Sequence, residues 1–327
     1  DTTIIATSAT YIRIESIANI FAVLTQFVLV ALVTVNKSRY LYVMTGIRLG
    51  LCLIADTFLV SNLPISAKMG VNGIAFSNII VNGILLTSSV VLLAKEEIHI
   101  FKKEKLDFSW AKEFLKIGGL SGLESFVRNI AYMVMIARMV NVVSEQGTYW
   151  VANNFIWGWL LLPVIQLGEL IKQEISVDRK NIGRNSLGYF CITAIICVLW
   201  FVSIPAWKPF MVHVLGFADV EKLFSLVMLL IGFYVFYAVQ NVFDATFYGL
   251  GKTNYMLLDS VVTNTIYYGI AFVLYMTGNW IPTLTGIAML FGIGNAFDSV
   301  VSLCAYIFLL RKHRISIINI PKQQNIL

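Results

Sequence analysis

Few residues of this chain can do chemistry, and most of those are carboxylates and guanidiniums set in apolar sequence. "QNVFDATFYGLGKTN", residues 240 to 254, closes an oily run with Asp244, two glycines and Gly251-Lys252-Thr253. An aspartate inside a membrane-spanning helix costs of order 2.5–3.5 kcal/mol on insertion scales and usually faces a partner or a watery cavity. Asp244 lies seven residues before Gly251, which is about 10 Å in from the helix end and too deep for so short a side chain to snorkel. Its functional reading is exposure to such a cavity. The structural alternative is a packed polar cluster with Gln240 or Asn241.

Gly251-Lys252-Thr253 is not a phosphate loop. That motif needs a glycine five residues before the Gly-Lys and a preceding strand, whereas this chain has Thr246 there and a helical pattern ahead of it. Gly249 and Gly251 are read instead as the end of one helix, with Asn254 opening the next.

The other charges within apolar runs are Arg48, Asp56, Glu124, Arg128, Arg138, Asp259 and Asp298. Glu124 and Arg128 stand four apart, on one helix face, in the order that favours an ion pair. Asp56 and Asp259 are placed near helix ends, within reach of the interface, and Asp298 is placed to face Asp244's half of the bundle. "YWVANNFIWGW", residues 149 to 159, puts Asn153 and Asn154 on a helix with Trp157, a mixture suited to a pocket for an aromatic and polar compound. Gln240, Asn241 and Asp298 are candidates for the same cavity. Trp150, Trp207 and Trp280 are assigned to the outer aromatic belt. His99, His213 and His313 are far apart in sequence, so neither a catalytic residue nor a metal site is expected. Cys52, Cys191, Cys197 and Cys304 lie in apolar runs without a CxxC and read as packing residues.

The elements that must position these groups follow from composition. With 58% hydrophobic and 13% charged residues and a mean hydropathy of +0.79, the chain cannot form a water-soluble surface. It reads as an all-α, polytopic membrane helix bundle. Nine apolar stretches exceed the ~20 residues a span requires: 10–35, 41–62, 70–94, 117–141, 148–171, 187–207, 223–248, 255–277 and 284–310. The connections alternate in charge. Of 24 lysines and arginines, seventeen fall on one side, only Arg13, Lys68, Lys208 and Lys222 on the other, and three within spans. Basic loops lie on the cytoplasmic side, so the C-terminus is expected to be cytoplasmic, in a multi-pass protein of the inner (plasma) membrane. Anionic lipid accounts for the net charge of +6, and no nucleic acid is needed.

A repeat is also present. "NKSRYLYV" at 36–43 resembles "GKTNYMLL" at 251–258, and "GVNGIAFSNI" at 70–79 resembles "TLTGIAMLFG" at 283–292. Three helices thus recur at an offset of about 214 residues, and the second set has three more spans ahead of it. Three helices are therefore expected to precede residue 1, giving two six-helix halves. The domain reading is 1–94 for the second half of the first bundle, 95–116 for a cytoplasmic linker, 117–314 for the second bundle and 315–327 for a tail. The linker has an amphipathic part using Ile98, Ile100, Phe101, Leu106, Phe108 and Trp110.

These stretches resemble the multidrug and toxic compound extrusion (MATE) family, within a superfamily that also holds flippases of lipid-linked precursors. "YIRIESIANIFAVLTQFVLVALVTVNKSRY" looks like its fourth helix, and "LCLIADTFLV" with "MGVNGIAFSNII" like its fifth and sixth. "FLKIGGLSGLESFVRNI" looks like the seventh, "YWVANNFI" like the eighth and "VFDATFYGLGKTNYM" like the tenth. The resemblance implies a monomeric antiporter in the lipid bilayer, coupled to Na⁺ or H⁺, that exports small molecules by alternating access. One subgroup uses acids in helices seven and ten, and Asp244 matches the helix-ten acid. In helix seven Arg128 stands where those members carry glutamate, with Glu124 one turn earlier. The usual helix-seven proline is replaced in the Gly119-Leu120 region, and the glutamine of the helix-eight pair is Asn154. The resemblance thus assigns cation coupling to Asp244 and Glu124, with Arg128 as a tethered counter-charge. Two alternatives stand: a flippase of an anionic lipid-linked precursor, using Arg48, Arg128 and Arg138, and a non-transporting membrane protein such as a scaffold or receptor.

Overall fold

A computed structural model describes residues 2–34, 37, 39–61, 63–97, 108–214, 216, 217, 219–313 and 315. All nine expected spans coincide with helical segments among these residues. They comprise α1 (Thr2–Thr34), α2 (Arg39–Leu59) and α3 (Gly70–Lys95); α4 (Ala111–Ala131) and α5 (Ala137–Asn141); α6 (Gln146–Phe155) and α7 (Leu162–Val177); α8 (Asn181–His213) and α9 (Val220–Gly249); and α10 (Thr253–Val262), α11 (Gly269–Met276) and α12 (Leu284–His313). Seven of the segments are long and apolar enough to cross a membrane, and an eighth qualifies if α6 and α7 count as one span bent by 52°. The nine spans inferred from hydropathy therefore exceed the structural count by the segment Ala111–Asn141. Its charges, Lys112, Glu113, Lys116, Glu124, Arg128 and Arg138, interrupt its apolar run. The bend falls at Leu161, next to Pro163 in the first turn of α7, where a proline is tolerated because the missing N–H has no helical partner.

The chain divides into two compact units, Asp1–Leu106 and Asp107–Leu327. The division falls inside the expected linker, of which residues 98–107 lie outside the described residues, as do 316–327 of the expected tail. In the first unit α3 packs against α1 and α2, with Met44, Val81 and Leu85 forming its core. Polar cross-links join the same helices. Asn78 Nδ2 donates to both carboxylate oxygens of Glu15 (3.1 and 3.0 Å), and Ser77 Oγ donates to Asp56 Oδ1 (2.7 Å). Asp56 is thus bonded to α3 rather than reaching for the interface, and Glu15, on α1, is a span carboxylate that the sequence reading left out.

In the second unit α9 is central and packs on α6, α7, α8, α10 and α12. Its buried face includes Leu223, Leu230, Tyr234, Val242 and Phe247. Trp207, assigned to the outer belt from sequence, is instead 4% exposed and packs on Phe155, its indole donating to Ser203 Oγ (2.9 Å). Outward faces carry Ile195, Val198, Leu199, Val202 and Phe308, which lipid covers at no cost. Three stretches are π-helical: Tyr132–Ile136, Ile156–Leu160 and Thr263–Tyr268. Such turns are rare and occur frequently at functional sites.

α9 ends at Gly249, and Gly251 takes φ +65°. Left-handed backbone suits glycine, and the turn closes with Lys252 N–H donating to the Phe247 carbonyl (2.8 Å). The Gly-Lys-Thr is a helix end followed by α10, as its sequence context indicates.

Candidate functional site

The second unit encloses a cavity of about 320 Å³, at the small end of the ~300–1,000 Å³ typical of ligand pockets. Each π-helical stretch sends side chains to its wall: Tyr132 and Ile136 from the first, Trp157 from the second, and Thr263, Asn264 and Tyr268 from the third. The extra residue in a π turn shifts the following side chains around the helix, which re-aims them relative to an unbroken α-helix.

The floor is polar and rests on pairs of residues four apart, one pair on each of four helical segments, all of them lining the cavity except the fully buried Ser302. Glu124 and Arg128 come from α4, Gln240 and Asp244 from α9, Asp259 and Thr263 from α10 and the π turn that continues it, and Asp298 and Ser302 from α12. Residues at that spacing share a helix face. The pairs of α9, α10 and α12 meet through neutral donors. Gln240 Nε2 donates to Asp244 Oδ2 (3.2 Å) and to Asp298 Oδ2 (2.7 Å), while its carbonyl accepts from Ser299 Oγ (2.8 Å). Thr263 Oγ1 donates to Asp298 Oδ1 (2.7 Å). Ser302 Oγ lies 2.9 Å from Asp244 Oδ1 and 2.7 Å from Asp259 Oδ2. Arg128 Nη1 pairs with Glu124 Oε1 at 2.9 Å.

Asp244, Glu124, Arg128, Gln240, Asp298 and Trp157 all line this cavity. Three residues nominated for it from sequence do not. Asn153 accepts a hydrogen bond from the Tyr234 hydroxyl (2.8 Å), which in turn accepts from Trp157 Nε1 (3.1 Å), so it braces the wall from behind. Asn154 is exposed on the adjacent face of α6. Asn241 donates to the Val164 carbonyl (2.8 Å) and occupies the space over Gly168, where an added Cβ would lie 2.7 Å from its amide nitrogen. Asn241 follows Gln240 by one residue, a step of about 100° around the helix, so the two cannot share a face.

Asp259 was placed near an interface from its distance to the helix end. It is instead 3% exposed and part of the carboxylate group. The four-residue spacing to Thr263 was the available signal. Of the arginines suggested as cavity cations, Arg128 alone is on this wall, while Arg138 is exposed on α5 and Arg48 is exposed in the first unit.

No protein-family model matches the chain, and no curated protein does. Solved structures are similar over most of its length. A mutant of the Vibrio cholerae MATE transporter VcmN superposes with a TM-score of 0.67 at 16% identity, covering 95% of this chain and 72% of that one. A MOP superfamily transporter from Pyrococcus furiosus, whose reversed binding-pocket polarity suggests a different function, gives 0.72 at 14% identity over 93% and 70%. A MATE protein in complex with Br-NRF gives 0.59 at 15% identity over 95% and 76%. The fold is that of MATE and MOP superfamily transporters.

Proposed function

We propose that this chain, with the fold those transporters share, belongs to a cation-coupled antiporter that exports small organic, cationic or amphiphilic compounds by alternating access. The observation that carries this reading is the charge of the cavity. Four carboxylates, Glu124, Asp244, Asp259 and Asp298, face one guanidinium, Arg128, and that guanidinium is engaged by Glu124. An acidic enclosure attracts cations. The aromatic wall favours organic ones through cation–π contact, with the Trp157 and Tyr237 rings 5.1 Å apart.

Asp244 is the switch in this scheme. When ionised it is a strong acceptor for the Gln240 amide and the Ser302 hydroxyl, which tie α9 to itself and to α12. When it binds Na⁺ or H⁺ that demand falls, so the ion-bound and ion-free forms favour different packing of α9 on α12, which is what coupling requires. Glu124 contributes a further carboxylate, and Arg128 is a tethered counter-charge. The protein acts as a monomer in the inner membrane with its C-terminus cytoplasmic.

Efflux of a lipophilic cationic dye from cells or inverted vesicles carrying the protein, with Na⁺ and pH gradients imposed separately, tests this. Export that depends on a gradient and is lost in Asp244→Asn is expected. Export that survives Asp244→Asn would overturn the coupling assignment. No export under either gradient would favour a flippase of an anionic lipid-linked precursor, with the arginines as the next residues to substitute.

A further inference from the structure

Ser302 has one hydroxyl proton and faces two carboxyl oxygens. Its Oγ is 2.9 Å from Asp244 Oδ1 and 2.7 Å from Asp259 Oδ2, and the residue is fully buried. A serine hydroxyl offers one donor and otherwise accepts. Were both aspartates ionised, one of these two approaches would set lone pair against lone pair at hydrogen-bond distance, which is repulsive. The second contact needs a donor from the carboxyl side. Gln240 and Thr263 do not supply it, because the bonds they donate run to Asp244 Oδ2 and to the two oxygens of Asp298. A second observation points the same way. Asp259 Oδ1 is buried without a hydrogen-bond partner, on a side chain 3% exposed that lines the cavity. An ionised carboxylate so poorly solvated is costly, whereas a carboxylic acid leaves its carbonyl oxygen unpaired at much smaller cost.

We propose that Asp244 and Asp259 hold one proton between them and that Ser302 relays it from one to the other. In the forward step the O–H bond of Asp259 breaks as its proton passes to Ser302 Oγ, while the serine's own proton passes to Asp244 Oδ1. Asp244 becomes a neutral acid, Asp259 a carboxylate, and the serine hydroxyl is regenerated. Only protons move, and no co-reactant is needed. The negative charge shifts from α9 to α10 across one residue of α12. The charged and titratable groups around the pair are Glu124 and Arg128 from α4, Tyr132 from the first π turn, Tyr237 and Tyr248 from α9, Tyr268 from the third π turn and Asp298 from α12. The consequence for transport rests on the coupling scheme above: the exchanged ion is H⁺, and Asp259 is a second site for it.

Infrared difference spectroscopy of the purified protein in liposomes at neutral pH reads this without any transport assay, so failure of the export reading and failure of the relay are separable. A protonated-carboxyl C=O band that shifts in D₂O is expected in the wild type. It should disappear in Asp244→Asn and in Asp259→Asn, because each amide supplies the donor hydrogen that the acid supplies in the wild type. It should persist but move in Ser302→Ala. Both Asn substitutions are nearly isosteric, and gel filtration checks their fold. Absence of the band in the wild type, a band unchanged in both Asn variants, or a band displaced by Na⁺ would each overturn the proposal.

Discussion

Glu124 and Arg128 form an ion pair 2.9 Å long whose two ends lie in different surroundings: the glutamate side chain is 4% exposed and the arginine side chain 62%. Removing either partner therefore has unequal consequences. Arg128→Ala leaves a buried carboxylate uncompensated, while Glu124→Gln leaves an arginine that remains solvated. Breaking a buried pair costs about 3–5 kcal/mol, and exposure of the arginine reduces this to roughly 1–3 kcal/mol. Thermal unfolding in detergent should show a larger loss for Arg128→Ala than for Glu124→Gln. The reverse order would mean that the pair's stability is set at the arginine end.

Gln240 is 2% exposed and bonded to Asp244, Asp298 and Ser299 at once. Gln240→Leu keeps the volume and removes every one of these bonds. A buried polar group left unsatisfied costs about 1–3 kcal/mol. The variant should unfold at a visibly lower temperature and, if the coupling scheme holds, export dye poorly even where it remains folded.

Gly249 sits where α9 crosses α7. A Cβ there would lie 2.9 Å from the Lys172 carbonyl oxygen and from Ile175 Cβ, neither of which can swing aside. Gly249→Ala should cost about 1–3 kcal/mol by forcing the helices apart. Gly119, with open space around its would-be Cβ, is the control: Gly119→Ala should be neutral or stabilising by up to about 1 kcal/mol. Comparing the two melting temperatures checks the crossing.

In the first unit Glu96, just past the end of α3, receives Lys37 Nζ at 2.6 Å together with the Tyr40 hydroxyl. The hydrogen bond from Lys37, followed by that from Tyr40, holds the Glu96 carboxyl below the usual carboxylate range. A carboxylate whose folded value is depressed stabilises the fold above its unfolded value and loses that contribution as pH falls through the folded one. The connection between α1 and α2 should therefore be anchored at neutral pH and released in acid. Hydrogen exchange at residues 39–42 should accelerate as pH is lowered below the carboxylate range, beyond the intrinsic pH effect. In Glu96→Gln it should be fast throughout. Equal protection in both proteins at neutral pH would remove Glu96 as the anchor.

Much of the architecture was legible in the chain. The long apolar runs around α1, α8 and α12 admit no other element in a bilayer, because a spanning segment must satisfy its own backbone hydrogen bonds. Gly251 marked the end of α9 by residue type alone. Within the site, the pairing of Glu124 with Arg128 followed from spacing. The depth of Asp244 in its helix followed from counting residues.

Spacing along one helix nevertheless says which residues share a face and not what that face meets. Asn241 and Gln240 are adjacent in sequence and equally polar. Packing of α9 turns Gln240 toward the carboxylates and Asn241 toward the Val164 carbonyl. Distance to a helix end likewise misplaced Asp259, because the interface is not its nearest source of hydrogen bonds: Ser302, 43 positions away in the chain, is. Hydropathy sums over a segment without regard to its rotation, so the sequence by itself determined a membrane bundle of helices and the few charged residues it would have to shelter. Which of those charges converge on one cavity was decided by the rotation of α4, α9, α10 and α12 about their axes, a property of side-chain packing between helices distant in sequence that no single helix encodes.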